Sequence, residues 1–353
     1  MGSPKAHDVV LLCNPQAGGR WRALADVLDS VEAKGVRRIV TDEIDDVASA
    51  LSDVGQRARL LCIYGGDGTI YHVINQLLSR PGGPMPRLAF LGGGTMNVTG
   101  QLCGMSGSPG DNFRRIMRAY MTDHLLWREM PVLSVQHSGG TCYGFTFGMG
   151  PLVRILNRYE QGRKGKLAAL GIGAQAIAAA LGPLQLGMGG LLDQMQASVH
   201  VNGERVPYDR YVAVFANTTG MVQRMVAPFV HPRARDNFHF LAYSVSVREF
   251  AFNVPKLMRG QLPLDTGSLL SWLVDPRNLM GLLRGETREL PADPRYVNHP
   301  AQHLRIESPE PVFTLDGEVL PIPPLAAGTS LGPTQGALDV RLGPSLQLAL
   351  GST

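Results

Sequence analysis

The sequence predicts an α/β domain, a parallel sheet with helices on both faces, followed by an all-β, sandwich-like second domain. Three observations carry that prediction. Up to about residue 126, short apolar runs alternate with stretches of helical periodicity, and beyond it strand-like runs succeed one another with fewer helices between them. Three of the early apolar runs also end in small, polar, glycine-containing loops, and in an open parallel sheet the carboxyl ends of the strands form the ligand crevice.

The early strands are read at Val9–Cys13, Arg37–Val40, Leu60–Tyr64 and 88–91, with helices near 20–34, 45–52 and 70–78. The last of these helices sets Ile70, Val73, Ile74, Leu77 and Leu78 on one stripe, the spacing of a helix that lies on a sheet. In the second part, strands are expected at 132–136, 142–147, 197–201, 211–216, 238–247, 304–307, Val312–Leu315, 338–342 and 346–350. The domain boundaries are drawn at 1–128 and 129–353, with the C-terminal tail free to return to the first domain. Proline and glycine gather at 81–86, 104–110 and 321–333, which read as surface connections.

The junction that says most about function is Gly65-Gly66-Asp67-Gly68-Thr69, between the apolar run Leu60–Tyr64 and the helical stretch. Three glycines in four positions allow positive φ and close approach to an anion, and amides at a helix start point at that anion. The same turn also serves as an ordinary connection between two elements. Asp67 narrows the choice. A carboxylate among phosphate-binding amides repels phosphate unless a metal or a substrate hydroxyl lies between them, and phosphoryl transfer needs both. Two further loops share this character: Asn14-Pro15-Gln16-Ala17-Gly18 after the first strand, and Gly92-Gly93-Gly94-Thr95-Met96-Asn97 after the fourth.

With Asn75 in the helix after the phosphate turn, and Asp316-Gly317-Glu318 near the C-terminus, the ordered set resembles the diacylglycerol kinase and sphingosine kinase-like superfamily, most closely its bacterial soluble lipid kinases. The resemblance implies a phosphofructokinase-like nucleotide domain followed by a β-sandwich lipid domain, with ATP and Mg²⁺ as cofactors. It implies ATP contacts from Asn14, Pro15, Gln16, Ala17, Gly18, Thr41, Gly65, Gly66, Asp67, Gly68, Thr69, Gly94, Thr95 and Asn97. The amides of Gly65, Gly66 and Gly68 can hold phosphate oxygens, Thr69 and Thr95 offer hydroxyl donors, and Asn97 can cap its helix. Thr41 serves equally well as a strand-end residue.

For catalysis the resemblance implies Glu318 as acceptor of the lipid hydroxyl proton, Asp316 as support for geometry or metal, and Asp67 oriented toward the transferred phosphate. On local sequence alone, Asp316-Gly317 is a hairpin turn. The segment 233–238 resembles the family's metal loop, with Asp236 as side-chain ligand and carbonyls from Arg233 and Phe238, a site distinct from the Mg²⁺ carried by ATP. Asn237 stands there in place of the usual glycine, which asparagine can replace in a left-handed turn. Two further departures leave the acceptor lipid open: Val98-Thr99-Gly100 after the third loop, and Pro151 where many relatives carry an acid.

The function read from this set is an ATP-dependent lipid kinase that transfers the γ-phosphate to a hydroxyl of a lipid such as diacylglycerol or a sphingolipid. Two alternatives stand beside it. One is a non-catalytic nucleotide- or lipid-binding module of the same fold. The other is an NAD kinase-like small-molecule kinase, since NAD kinases and phosphofructokinases share the Gly-Gly-Asp-Gly turn; the Asn-Glu pair and the glycine-aromatic motif of NAD kinases are not found in this sequence.

At 353 residues with 44% hydrophobic and 18% charged, the composition is that of a globular chain, and a formal charge of +4 is too small to suggest a nucleic-acid partner. Cys13, Cys62, Cys103 and Cys142 have no metal-ligand spacing and suit a reducing compartment. No basic-then-apolar secretion signal opens the sequence, and Ala6 breaks the myristoylation pattern. A cytoplasmic protein is expected, peripheral at the inner membrane surface, with a homodimer as a further expectation. Arg154, Arg158, Arg163, Lys164 and Lys166 around Glu160 read either as a solvated helix face or as a contact with an anionic membrane. The uncharged stretch 167–192 is long enough to span a bilayer but is broken by glycines, so a short helix at 168–181 and an apolar segment lining a lipid cleft are expected instead. Leu269, Leu270, Trp272, Leu273, Leu279, Met280, Leu282 and Leu283, with Arg277 and Arg284 and a break at Pro276, read as a core helix or as an interfacial segment.

Overall fold

The computed structural model of the chain describes residues 4–15, 28, 31–41, 47, 51, 54, 58–80, 85–92, 100–101, 103–151, 153–154, 193–221, 227–284, 290–323 and 336–351. In chain order the elements are β1 (Val9–Cys13), β2 (Arg37–Val40), β3 (Leu60–Tyr64), α1 (Asp67–Leu78), β4 (Arg87–Phe90), α2 (Pro109–Met121), β5 (Trp127–His137), β6 (Gly140–Gly144) and β7 (Thr146–Met149). There follow β8 (Met195–Gln196), β9 (Ser198–Val201), β10 (Glu204–Arg205), β11 (Arg210–Tyr211), β12 (Ala213–Asn217), β13 (Phe238–Tyr243), α3 (Val247–Leu257), α4 (Thr266–Val274) and α5 (Pro276–Leu283). The last strands are β14 (Tyr296–Ala301), β15 (His303–Ser308), β16 (Val312–Leu315), β17 (Glu318–Pro321) and β18 (Gly336–Ala349). The chain forms two compact units, the first made of Met1–Phe147, Thr314–Leu320 and Val340–Thr353, the second of Gly148–Phe313 and Pro321–Asp339.

In the first unit a parallel sheet runs in the order β2-β1-β3-β4-β18. Its register pairs Leu11 with Cys62, Cys62 with Ala89 and Leu88 with Leu348. Every residue of β1 and of β3 is buried, as continuous apolar strands must be when both faces of a sheet are covered. β2 is the edge strand, and its Arg37, Arg38 and Val40 are exposed. α1 buries Ile70, Val73, Ile74 and Leu77 against this sheet's core, where Cys13 and Cys62 behave as small apolar residues. The second unit is β-rich: β12, β13 and β14 pair antiparallel, Phe240 facing both Ala216 and His299 across the ladder. Its β9 pairs antiparallel with β10 and with β15.

Several segments depart from the sequence expectation. The run 142–147 is two strands, because the amide at Phe145 turns to the Asp316 carboxylate, 2.9 Å away, and not to a neighbouring strand. The run 238–247 stops at Tyr243; Ser246 then accepts a hydrogen bond from the Glu249 amide at 3.2 Å and starts α3. The connection at 104–110 ends early for the same reason, since Ser108 caps α2 through the Asp111 amide and Pro109 takes the first helical position. The second part is therefore not all-β, for α3, α4 and α5 lie between β13 and β14. The apolar stretch at 269–283 is split at Pro276, and Leu273 and Met280 are exposed, which removes the core-helix reading for them. The expected helices at 20–34 and 45–52 lie largely outside the described residues, as do Arg158 to Lys166 and the stretch 167–192. Among the described residues no helix is long and apolar enough to cross a membrane.

Candidate active site

The phosphate turn sits where the central strand β3 meets α1. Gly66 is the N-cap, with φ −82° and ψ 179°, and having no side chain it leaves the first-turn amides of Asp67, Gly68 and Thr69 without a side-chain cap. That end of the helix is therefore open to an anion. Gly65 has a steric reason: a Cβ there would stand 2.7 Å from Thr69 Oγ1, because the threonine folds back over it. The same hydroxyl accepts a hydrogen bond from Asn14 Nδ2 at 3.0 Å, and the Asn14 amide donates to the Tyr64 carbonyl at 2.9 Å. The end of β1 and the turn after β3 are thus held as one surface. Thr41 is buried, and both its amide and its hydroxyl donate to the Cys13 carbonyl, at 2.9 and 3.3 Å. Its geometry is that of a strand-end residue.

From the other side the hairpin β16–β17 brings in the carboxylates. Asp316 and Gly317 form its two-residue turn with φ of 53° and 90°, the positive pair that such a turn requires. The hairpin turn and the carboxylate pair expected from sequence are one feature. Asp316 accepts from the amides of Phe145 (2.9 Å) and Thr146 (2.8 Å), and its own amide donates to the Thr146 carbonyl at 2.8 Å. Burial lifts its carboxyl to about 7 against the pull of the two amides, with Asp67 and Glu318 nearby adding to the rise. A carboxylate so held positions the turn. Glu318 follows at the start of β17 and lies against Gly68, its Cδ 3.3 Å from where a Gly68 Cβ would stand.

A third connection closes the arrangement, and sequence reasoning gave it no role. Asn75 sits two turns along α1 and pairs with the backbone of Tyr143 in β6: its Nδ2 donates to the Tyr143 carbonyl and its Oδ1 accepts from the Tyr143 amide, each at 2.8 Å. A second bond runs from Nδ2 to the Tyr71 carbonyl at 2.9 Å. β6 then leads through Gly144 to the amides that hold Asp316. Gly144 must be glycine, since a Cβ there would be 2.6 Å from Leu315 Cγ and 2.7 Å from Asp316 Oδ2. Tyr71 belongs to the same neighbourhood: its hydroxyl is pushed up, first by burial, then by Cys142, Glu318 and Asp316. In the sequence Asn75 stands only as a member of the motif set that carries the resemblance.

Gln16, Ala17, Gly18, Gly94, Thr95 and Asn97 lie outside the described residues. The Asn112 amide group in α2 donates to the Leu91 carbonyl at 2.9 Å and anchors the chain just after β4. An anionic nucleotide fits the open helix end and its glycines. Among the described residues no cluster of three His, Cys, Asp or Glu is placed to hold a metal. The segment 233–238 of the second unit, expected as a metal loop, is held by its own polar contacts. Arg233 turns its own guanidinium onto the loop, donating to the Asn237 carbonyl at 2.9 Å and the Ala234 carbonyl at 3.4 Å, and Asp236 accepts from Gln302 Nε2 at 2.9 Å. Arg233 and Asp236 both take part in hydrogen bonds here, and Phe238 opens β13.

Residues 8–124 match the diacylglycerol kinase catalytic domain. No curated protein matches the chain in sequence. Among solved structures, the chain is similar to a candidate diacylglycerol kinase from Bacillus anthracis str. Sterne, at 16% identity and TM-score 0.64 over 99% of this chain and 97% of that one. It is similar to a diacylglycerol kinase from the same strain at 15% identity and TM-score 0.57, over 97% and 96% of the two chains. It is also similar to yeast NADH kinase, crystallised with NADH, at 11% identity and TM-score 0.50 over 99% and 84%. At these identities the likenesses show the fold, an α/β sheet with parallel strands and a separate β-rich region.

Proposed function

We propose that this chain, whose residues 8–124 match the diacylglycerol kinase catalytic domain, is an ATP-dependent kinase of a lipid alcohol such as diacylglycerol or a sphingolipid. In this reading the nucleotide half is phosphofructokinase-like, the second half is sandwich-like and takes the lipid, and the protein works in the cytoplasm. Bound ATP with its Mg²⁺ supplies the phosphoryl group to be transferred. The chain's own residues orient and deprotonate. The first-turn amides of α1 face the phosphates, and Thr69, fixed by Asn14, keeps the turn in shape. Glu318 takes the proton of the acceptor hydroxyl, while Asp316, occupied by two amides, sets where Glu318 stands. Asp67, at the start of α1, is assigned to orient toward the transferred group.

The observation that carries this reading is the position of Glu318 against Gly68, in the first turn of a helix that opens on a phosphate loop. A base there is adjacent to an anion bound there. The test is transfer of labelled γ-phosphate from ATP and Mg²⁺ to a panel of lipid hydroxyls in mixed micelles, beside Glu318→Ala. Turnover should fall roughly 10²-fold or more in the variant with ATP binding nearly intact. Label on NAD and on no lipid would replace this reading with the small-molecule kinase, to which the yeast NADH kinase likeness lends the fold. ATP binding without transfer to any acceptor would replace it with the binding module.

A further inference from the structure

The segment 247–284 of the second unit takes no part in the site above. Helix α3 turns Ala251 and Leu257 inward and leaves Phe252 76% exposed, with Arg248 and Lys256 one turn to either side on the same face. The α4–α5 pair rises from a closed neck, where Leu264 bridges to Ala292, the Asp265 amide donates to the Pro291 carbonyl, and the Asp293 amide donates to the Pro263 carbonyl. None of the described side chains of α4 or α5 is buried. Val274 at their joint is 74% exposed, with Leu273 and Met280 also in solvent. Helices of this length do not hold in water by propensity alone, and the exposed Leu273, Val274 and Met280 are apolar groups that a surface would cover.

The charges select the surface. The acids of the segment are engaged internally: Glu249 with Arg295 at 2.7 Å, Asp265 as cap of α4 through the Gly267 amide at 3.0 Å, and Asp275 with the Arg277 amide at 2.8 Å. Arg248, Lys256, Arg259, Arg277 and Arg284 form no ion pair among the described residues. Exposed aliphatic and aromatic side chains among unneutralised bases are the chemistry of an anionic lipid interface, where the bases meet lipid phosphates and the apolar groups enter the acyl boundary.

We propose that the segment 247–284 docks this protein on an anionic bilayer. The purpose of docking rests on the lipid-kinase reading, but the surface does not. The test is co-sedimentation of the full chain with phosphatidylcholine vesicles, with and without phosphatidylserine. The wild type binds the phosphatidylserine vesicles and is released by salt. Val274→Asp, at a site with no packing to lose, lowers partitioning by about tenfold. Arg277→Gln with Arg284→Gln lowers it by about fivefold for each arginine. Phe252→Ser provides the same reading from α3 should the Val274 variant lose its fold by circular dichroism. Absence of binding to phosphatidylserine vesicles, or undiminished binding by the folded variants, overturns the proposal. So does a wild-type dimer that Val274→Asp converts to monomers, which would give the face to a second copy of the chain. Phosphoryl transfer to a water-dispersed short-chain acceptor is measured alongside. Vesicle binding without any transfer sinks the kinase reading and leaves the docking face standing, and transfer without vesicle binding does the reverse.

Discussion

Glu318 rests its carboxyl group on the α-carbon of Gly68, close enough that a methyl group there would stand 3.3 Å from Glu318 Cδ and nearer still to Oε1. Gly68 is inside the first turn of α1, where its left-handed freedom is not needed. The glycine is there for the approach. Gly68→Ala should leave stability unchanged or raise it by up to about 1 kcal/mol, since alanine suits a helix better. The displaced carboxylate should lower turnover by roughly 10²-fold. In a Glu318→Ala background the same substitution should have no further effect on turnover, and a double-mutant cycle of kcat checks this.

Asn75 links the helix that carries the phosphate turn to the strand that leads to Asp316. Asn75→Ala leaves the Tyr143 amide and carbonyl without their partner and should cost about 2–3 kcal/mol in urea unfolding. Because the substitution loosens α1 from β6, kcat should fall more than the KM for ATP rises. Equal changes in the two would place Asn75 in the fold alone.

Asp316 has a carboxyl raised from 3.8 to about 7. Between those values the native chain holds a proton that the unfolded chain has released, so stability attributable to this group declines as pH rises through the window and is fully lost above it. Asp316→Asn keeps an oxygen for the Phe145 and Thr146 amides and cannot ionise. The variant should therefore gain on the wild type in melting temperature as pH goes from about 4 to about 7. A constant difference across that range would contradict the raised value.

His239 moves the opposite way. It is buried on β13, stacked on Phe229 at 4.7 Å, and burial with the Arg233 charge lowers it from 6.5 to about 4. The unfolded chain binds the extra proton in that window, so stability is present above about 6.5 and is lost as pH falls toward 4. His239→Leu should flatten this acid limb, as read by thermal unfolding at graded pH.

Much of the first unit was legible because its signals are local. β1 and β3 are continuous apolar runs, and α1 repeats its apolar residues at helical spacing, so periodicity alone found them. The Asp316-Gly317 turn was legible for the same reason, since positive φ at both positions narrows the residues that can stand there. What escaped depends on partners distant in sequence or on a single capping side chain. The break at Phe145 follows from a carboxylate 171 residues away. The onset of α3 and α2 hangs on one serine each, Ser246 and Ser108, inside stretches whose composition resembles strand or loop. The pattern of 233–238 likewise does not show that the Arg233 side chain donates to the Asn237 and Ala234 carbonyls.

By itself the sequence determined the parallel α/β unit, the phosphate turn at its central strand and a strand-rich second part, because hydrophobic period and glycine placement act over a few residues. Only the tertiary structure decided which groups meet. It set Glu318 against Gly68, occupied Asp316 with two amides, paired Asn75 with Tyr143, and left none of the described side chains of α4 and α5 buried. The reason is physical: a hydrogen bond or a steric approach between distant segments depends on how the sheet and its hairpins pack, and no local periodicity encodes it.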